Sequence, residues 1–265
     1  MAKMTIKLYW HRGEGKTNPK MKNFGDFLSP IIVEAVSGKK VIYSPPEKAN
    51  LFAIGSILKR EKKSKIFGLK RTLHIWGSGG ANDTDTYSPH HHYHAVRGPL
   101  TLSKISGSHI NTAFGDPGLL SELIVKPGKK RHLIGIIPHY YDKNSPLLKS
   151  FTRKLKKTKF IDVFLPPHEV LSEISQCHFI ISSSLHGLII ADTYKVPCIH
   201  VPFSKGTISE FKFHDYYLST NREHKILDPL NIFESNKLIT EIENNYVYPN
   251  LKPIQEKLIN SFPKI

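Results

Sequence analysis

The stretch Ile180-Ile-Ser-Ser-Ser-Leu-His-Gly-Leu-Ile-Ile-Ala-Asp-Thr-Tyr-Lys-Val-Pro-Cys-Ile199 holds a complete strand–turn–helix–strand unit. The run from His178 to Ser182 predicts a buried strand, the serines a polar turn, and Leu185 to Tyr194 an apolar helix. Val196-Pro197 then breaks the chain before a second strand. At such a turn unpaired backbone N–H groups meet the positive end of the helix dipole, which makes an anion site. Ser182, Ser183 and Ser184 offer helix caps or hydroxyl donors, and His186 adds a titratable group in the first turn. The same pattern also fits a serine-capped helix with His186 packed against its neighbours. The rest of the chain separates the two readings.

Working outward, strand-like and helical runs alternate over most of the length. Strands are predicted at Thr5–Trp10, Lys40–Tyr43, Leu51–Ile54, Thr72–Trp76, Tyr93–Val96, Ile110–Phe114, His132–Ile137 and Phe160–Val163. Helices are predicted at Asp26–Val36, with Asp26 as N-cap and Gly38 closing it, at Pro146–Lys156 and at Pro167–Ser175. From Phe233 on, the pattern is an amphipathic helix and a polar tail that packs back on the molecule. This alternation predicts an α/β protein with parallel sheets covered by helices on both faces. The Lys/Pro/Gly-rich break Val125-Lys-Pro-Gly-Lys-Lys-Arg131 predicts two Rossmann-like domains, 1–125 and 126–265, with ligands at the carboxyl ends of the strands and in the cleft between them.

Composition bounds the function classes. A hydrophobic content of 39% in 265 residues supports a folded core rather than disorder. Lys and Arg outnumber Asp and Glu by 38 to 22, and the net charge of +16 draws the protein to anions. The basic runs Lys59-Arg-Glu-Lys-Lys-Ser-Lys65 and Arg153-Lys-Leu-Lys-Lys-Thr-Lys159 read as solvated faces, or as surfaces for peripheral contact with anionic membrane. No nucleic-acid motif accompanies them, so nucleic acid is not expected as a partner. Cys177 and Cys198 have no metal-ligand spacing and read as buried free thiols of a reducing compartment. The start Met1-Ala-Lys-Met-Thr-Ile-Lys7 lacks a signal-peptide core, and no apolar run reaches the ~20 residues of a membrane span. A cytoplasmic location, at most against the inner face of the membrane, is expected.

Four further turns carry site-type residues. Asn23-Phe-Gly-Asp26 follows the first strand. Trp76-Gly-Ser-Gly-Gly80 ends another in a glycine turn, and Val96-Arg-Gly-Pro-Leu-Thr101 sets Arg97 at a strand's carboxyl end. Gly115-Asp-Pro-Gly118 repeats the design with an acid. An Arg so placed grips phosphate or carboxylate bidentately. Singly each turn has an equally good structural explanation; five such turns after five strands are expected to converge on one edge of the sheets. The cluster His90-His-His-Tyr-His94 reads as a loop or acceptor wall, because consecutive histidines rarely present tetrahedral geometry.

Taken in order, these motifs with Ser182-Ser-Ser-Leu-His-Gly187 and the late Lys205, Phe211 and Asp215 resemble the polysaccharide pyruvyl transferase family over residues ~5 to ~220. The resemblance implies a GT-B-like pair of domains, the N-terminal one on the acceptor side and contributing Arg97, the C-terminal one carrying the Ser-Leu-His turn on the donor side with a C-terminal helix. It implies transfer of the pyruvyl group of phosphoenolpyruvate to a sugar of a polysaccharide or lipid-linked oligosaccharide, as a ketal, with release of phosphate. Phosphoenolpyruvate enters as donor substrate, and no metal or other cofactor is demanded.

The resemblance carries donor binding to Arg97, Ser184, Leu185 and His186. Asn23, Gly79, Asp116 and Lys205 are further binding positions on its motifs, and Asp26, Asp116 and His139 are assigned to the acceptor side. For proton transfer, His186 is the first choice, as acid to the methylene carbon or as partner of the leaving phosphate, with Asp26 as the second. Two rivals remain open. One is a GT-B-like glycosyltransferase with a nucleotide-sugar donor, using Glu210 or Asp215 to grip a ribose. The other is a non-catalytic anion- or glycan-binding module.

Overall fold

The computed structural model describes residues 5–13, 22–63, 65–66, 69–107, 109–204, 206, 208–231 and 234–265. In chain order the first half runs β1 (Ile6–Tyr9), α1 (Phe24–Ser37), β2 (Val41–Tyr43), β3 (Leu51–Phe52), a small antiparallel hairpin of β4 (Lys65–Ile66) and β5 (Leu69–Lys70), β6 (His74–Trp76), β7 (His92–Val96), α2 (Pro99–Leu102) and β8 (Ala113–Phe114). Six of these strands form one parallel sheet in the order β2-β1-β3-β6-β7-β8. The second half runs β9 (His132–Ile137), α3 (Pro146–Arg153), β10 (Thr158–Phe160), α4 (Pro167–Ser175), β11 (Cys177–Ser182), α5 (Leu185–Thr193) and β12 (Cys198–His200). Its four strands form a second parallel sheet, β10-β9-β11-β12. Helices α6 (Phe211–Ser219), α7 (Ser235–Asn245) and α8 (Lys252–Asn260) close the chain.

Both sheets change direction of winding beside their first strand, between β1 and β3 and again between β9 and β11. In open parallel sheets such a reversal leaves a crevice at the carboxyl ends of the two strands, because their following helices go to opposite faces. The protein therefore has two such crevices, one per sheet. The sheets also share apolar packing. One cluster joins Leu8, Phe24, Leu28 and Trp76 to Ile137, Ile180, Leu188 and Ile189. The 3-10 helix Pro117–Leu123 packs against both α1 and α5. Helix α8 lies on the first sheet: Trp76 Nε1 donates to the Leu258 carbonyl at 2.9 Å, and Gln255 Nε2 to the Leu119 carbonyl at 2.7 Å.

Local corrections to the sequence expectations have physical causes. The N-cap of α1 is Asn23, whose side-chain oxygen accepts from the Gly25 N–H at 2.9 Å; Asp26 sits one turn further in, leaving its carboxyl unspent. Gly38 closes the helix in the left-handed conformation, at φ 66°. The strand expected at Phe160–Val163 is formed by Thr158–Phe160 instead. Ile161 and Val163 are buried past its end, where the Ile161 N–H still donates to the Ile136 carbonyl of β9 at 2.9 Å. His92 and His94 belong to β7 rather than to a loop; His94 stacks on His74 of β6 and His92 lies tilted against the same ring. Both cysteines are buried and free.

Helix α5 is pinned from its far end by Asp192, which is almost fully buried. Its carboxylate pairs with Arg222 and accepts from the Tyr216 and Tyr246 hydroxyls, each at 2.6 Å. Asp192→Asn keeps the shape but strips the charge from a buried pair and should cost about 3–5 kcal/mol. Urea unfolding should show this as a lower midpoint with an unchanged slope.

Candidate active site

The carboxyl ends of both sheets open into one cavity of about 670 Å³. From the first sheet come Tyr9 at the end of β1 and His11 after it, Gly55 and Ser56 after β3, Ala81 after β6 and Arg97 after β7; from the second come His139 and Tyr140 after β9 and Ser184, Leu185 and His186 after β11. The N-termini of α1 and α5 meet here, through Asn23 and Asp26 on one side and the Ser184–His186 turn on the other. Two long-helix N-termini facing one space concentrate positive potential in it.

Arg97 is 1% exposed. Its Nε donates to Asp215 Oδ2 at 3.0 Å, Nη1 to Ser56 Oγ at 2.8 Å and Nη2 to the Gly80 carbonyl at 2.6 Å. Asp215, on α6, also accepts from the Thr101 N–H and hydroxyl at 2.9 and 2.6 Å. Gly79 lies behind the guanidinium, where a Cβ would collide with Arg97 Cζ. It serves the site by letting Arg97 lie flat on the backbone. Three of the five guanidinium N–H groups are thus spent within the protein, and two remain.

The serines divide their work. Ser182 Oγ has the Ile137 and Ser184 carbonyls at 2.8 and 2.9 Å as acceptors for its single proton and accepts from the Ser184 N–H; Ser183 Oγ accepts from the His139 N–H. Those two hydroxyls therefore tie the ends of β9 and β11 together. Ser184 occupies the N-cap position of α5 without a side-chain cap bond, and its residue lines the cavity. Lys205 lies outside the described residues.

His186 packs so closely on α1 that a Cβ on Gly25 would collide with its ring. Its Nε2 is buried without a hydrogen-bond partner and lies 3.7 Å from Asp116 Oδ2, which is also buried and unpartnered. Asp116 itself is fixed as cap of the 3-10 helix, its Oδ1 accepting from the Gly118 N–H at 2.8 Å. Burial pushes the Asp116 carboxyl up to about 6. Burial and the neighbouring Lys212 and Arg97 cations push His186 down to about 3. The same burial, with Lys212 and His186, pushes His139 down to about 3. Both imidazoles are neutral at pH 7, so neither enters as an imidazolium acid.

The residue that sequence reasoning missed is Lys212. It projects from α6 into the cavity, and burial followed by Arg97 lowers its ammonium to about 8. Its signal lay between Phe211 and Asp215, both quoted for the resemblance, but a lysine among 38 basic residues carries no mark of its own. A second unforeseen contribution comes from Lys59, Arg60, Lys62 and Lys63 on the 3-10 helix Leu58–Lys63, which line the same cavity. Asp26 completes the set. Burial pushes its carboxyl up to about 7, and Lys212 opposes the shift. Lys212→Met should therefore raise the Asp26 pKa above 7, as read by a ¹³C carboxyl titration of the folded protein.

The family model described as polysaccharide pyruvyl transferase matches residues 15–204. An uncharacterized protein of Acanthamoeba polyphaga mimivirus is 28% identical over 207 residues, 73% of this chain and 69% of its own length. The succinoglycan biosynthesis protein ExoV of Rhizobium meliloti (strain 1021) is 28% identical over 216 residues, 78% of this chain and 62% of its own length. No solved structure matches. With a match that spans well over half of its residues, the chain belongs to the polysaccharide pyruvyl transferase family.

Proposed function

We propose that the cavity binds phosphoenolpyruvate and transfers its pyruvyl group to two hydroxyls of a glycan, with the two sheets acting as GT-B-like lobes around the reaction. The observation that carries this reading is the meeting of two helix N-termini, Arg97 and Lys212 around a carboxyl, Asp26, held near 7. Phosphoenolpyruvate presents a phosphate and a carboxylate. The first needs a fixed anion cradle, and the second suits the two unspent N–H groups of Arg97 or the Lys212 ammonium.

In this reading the protonated Asp26 delivers its proton to the methylene carbon, which becomes a methyl group and leaves the central carbon cationic. A glycan hydroxyl attacks that carbon and passes its proton to neutral His186, which Asp116 backs across 3.7 Å. That arrangement orients the imidazole and stabilises its charged form. The second hydroxyl then closes the ketal as phosphate departs with that hydroxyl's proton. His186 returns its proton to Asp26, directly or through water, so one proton is borrowed and restored. The cluster Lys59, Arg60, Lys62 and Lys63 suits an acceptor that carries phosphate, such as a lipid-linked oligosaccharide.

The nucleotide-sugar alternative is disfavoured by the carboxylates it would need. Asp215 is buried and committed to Arg97 and Thr101, and Glu210 does not line the cavity.

Incubation with phosphoenolpyruvate and lipid-linked or free glycans should release phosphate and give a product heavier by one ketal. Donor binding without phosphate release would instead make the protein a binding module. Lys212→Met should raise the donor KM at least ~10-fold, since a charge-assisted contact is worth roughly 1.5–3 kcal/mol.

The pH dependence has a definite sign. A trianionic donor raises the pKa of every group facing it, so Asp26 from about 7 and Lys212 from about 8 both take up protons on binding. Donor affinity should therefore fall as pH rises from 6.5 to 8.5, by up to about tenfold per pH unit for each proton taken up. Calorimetry in buffers of different ionisation enthalpy measures that uptake directly, and proton release on binding would contradict it.

A further inference from the structure

Helix α6 presents two faces. Lys212 and Asp215, three residues apart, turn to the cavity and to Arg97. Glu210 and His214, four apart, share a different face at the start of the helix, where His224 meets them from the following loop. Glu210 Oε2 lies 3.8 Å from His214 Nε2 and 3.9 Å from His224 Nδ1, and the three ligand-type atoms all lie within 4.8 Å of one another.

The His224 side chain is fully buried, and its Nδ1 has no hydrogen-bond partner although it faces this cluster. Its other nitrogen, Nε2, is 2.9 Å from His200 Nδ1, and His200 in turn stacks on Phe213 with ring centres 4.0 Å apart. This is the support that ligating histidines receive: one nitrogen held by a buried partner, the other left bare toward the ion.

We propose that Glu210, His214 and His224 form a site for a zinc-class divalent cation that fastens the first turn of α6 to the loop carrying His224. One carboxylate and two imidazoles suit Zn²⁺ or a neighbouring first-row metal better than Mg²⁺ or Ca²⁺, which take oxygen ligands. Tetrahedral coordination at 2.0–2.1 Å sets ligand atoms about 3.3 Å apart. Closure by roughly half an ångström on the two Glu210 distances, and by up to about 1.5 Å between the two histidines, is therefore needed, and the exposed Glu210 and His214 can supply it while His224 stays fixed. Because α6 also carries Lys212 and Asp215, the cation would hold in register the helix that completes the cavity.

Chelator-treated protein titrated with ZnCl₂ by calorimetry, and with CoCl₂ by visible absorption, tests this. The expected result is one saturable equivalent with the intense d–d bands of four-coordinate cobalt, a rise in thermal midpoint, and slowed amide exchange at the start of α6. Glu210→Gln and His214→Gln alter exposed side chains and should leave the metal-free melting curve unchanged. Each should weaken binding more than ~100-fold, beyond the cost of losing a mere outer partner, and should abolish the exchange effect. His92→Gln, in the separate histidine-rich strand, should change none of these. Absence of saturable binding, binding that survives both ligand variants, or binding lost in His92→Gln overturns the proposal.

Discussion

The buried pair of Arg97 and Asp215 is the constraint on which the site depends. Arg97 stands at the carboxyl end of a first-sheet strand and Asp215 on a helix that follows the second sheet, 118 residues later. Their ion pair, with the two Thr101 bonds, seats α6 on α2 and so brings Lys212 to the cavity. Breaking such a pair by removing one partner typically costs 3–5 kcal/mol, because the survivor is left charged and dry. The close approach has a backbone requirement as well. Gly98 leaves no room for a Cβ against Asp215, and Gly79 leaves none against the guanidinium. Glycines that read in sequence as parts of site turns are therefore the seats of a structural ion pair whose arginine also lines the cavity.

A single electrostatic cause runs through the cavity. Removal from bulk water disfavours every charge, and the committed Arg97 together with Lys212 disfavours further positive charge. The histidines are consequently neutral, the ammonium of Lys212 is weakened, and Asp26 retains its proton to an unusually high pH. An anion entering this environment relieves the imbalance that shifted the groups. The unpartnered His186 and Asp116 atoms, 3.7 Å apart, fit the same picture, since a proton arriving on His186 would find a carboxylate beside it. Asp26 rather than His186 is thus the group poised to give up a proton near neutral pH, whereas residue type alone recommends the histidine.

The basic run at Lys59–Lys65 illustrates how charge in sequence acquires meaning through placement. As a string it is a solvated face or a membrane contact. Folded, Lys59, Arg60, Lys62 and Lys63 line the cavity that Arg97 and Lys212 share. No helix among the described residues is long and apolar enough to cross a membrane.

The sequence by itself determined the class of fold. Strand and helix periodicities differ, so alternating apolar runs specified parallel sheets with helical cover, and the turn residues after the strands marked the edge that carries the site. It also named Asn23, Arg97, Ser184, Leu185, His186 and His139, which line one cavity because parallel strands deliver their carboxyl-end turns to one side. Tertiary structure alone decided which of these groups are free to act. Asn23 is spent on a cap, Ser182 and Ser183 are spent on their own turn, and Gly79 backs Arg97. Lys212 and the protonation of Asp26 were invisible in the chain, since both arise from burial beside residues distant in sequence, and burial depends on the three-dimensional packing that adjacency in a string does not encode.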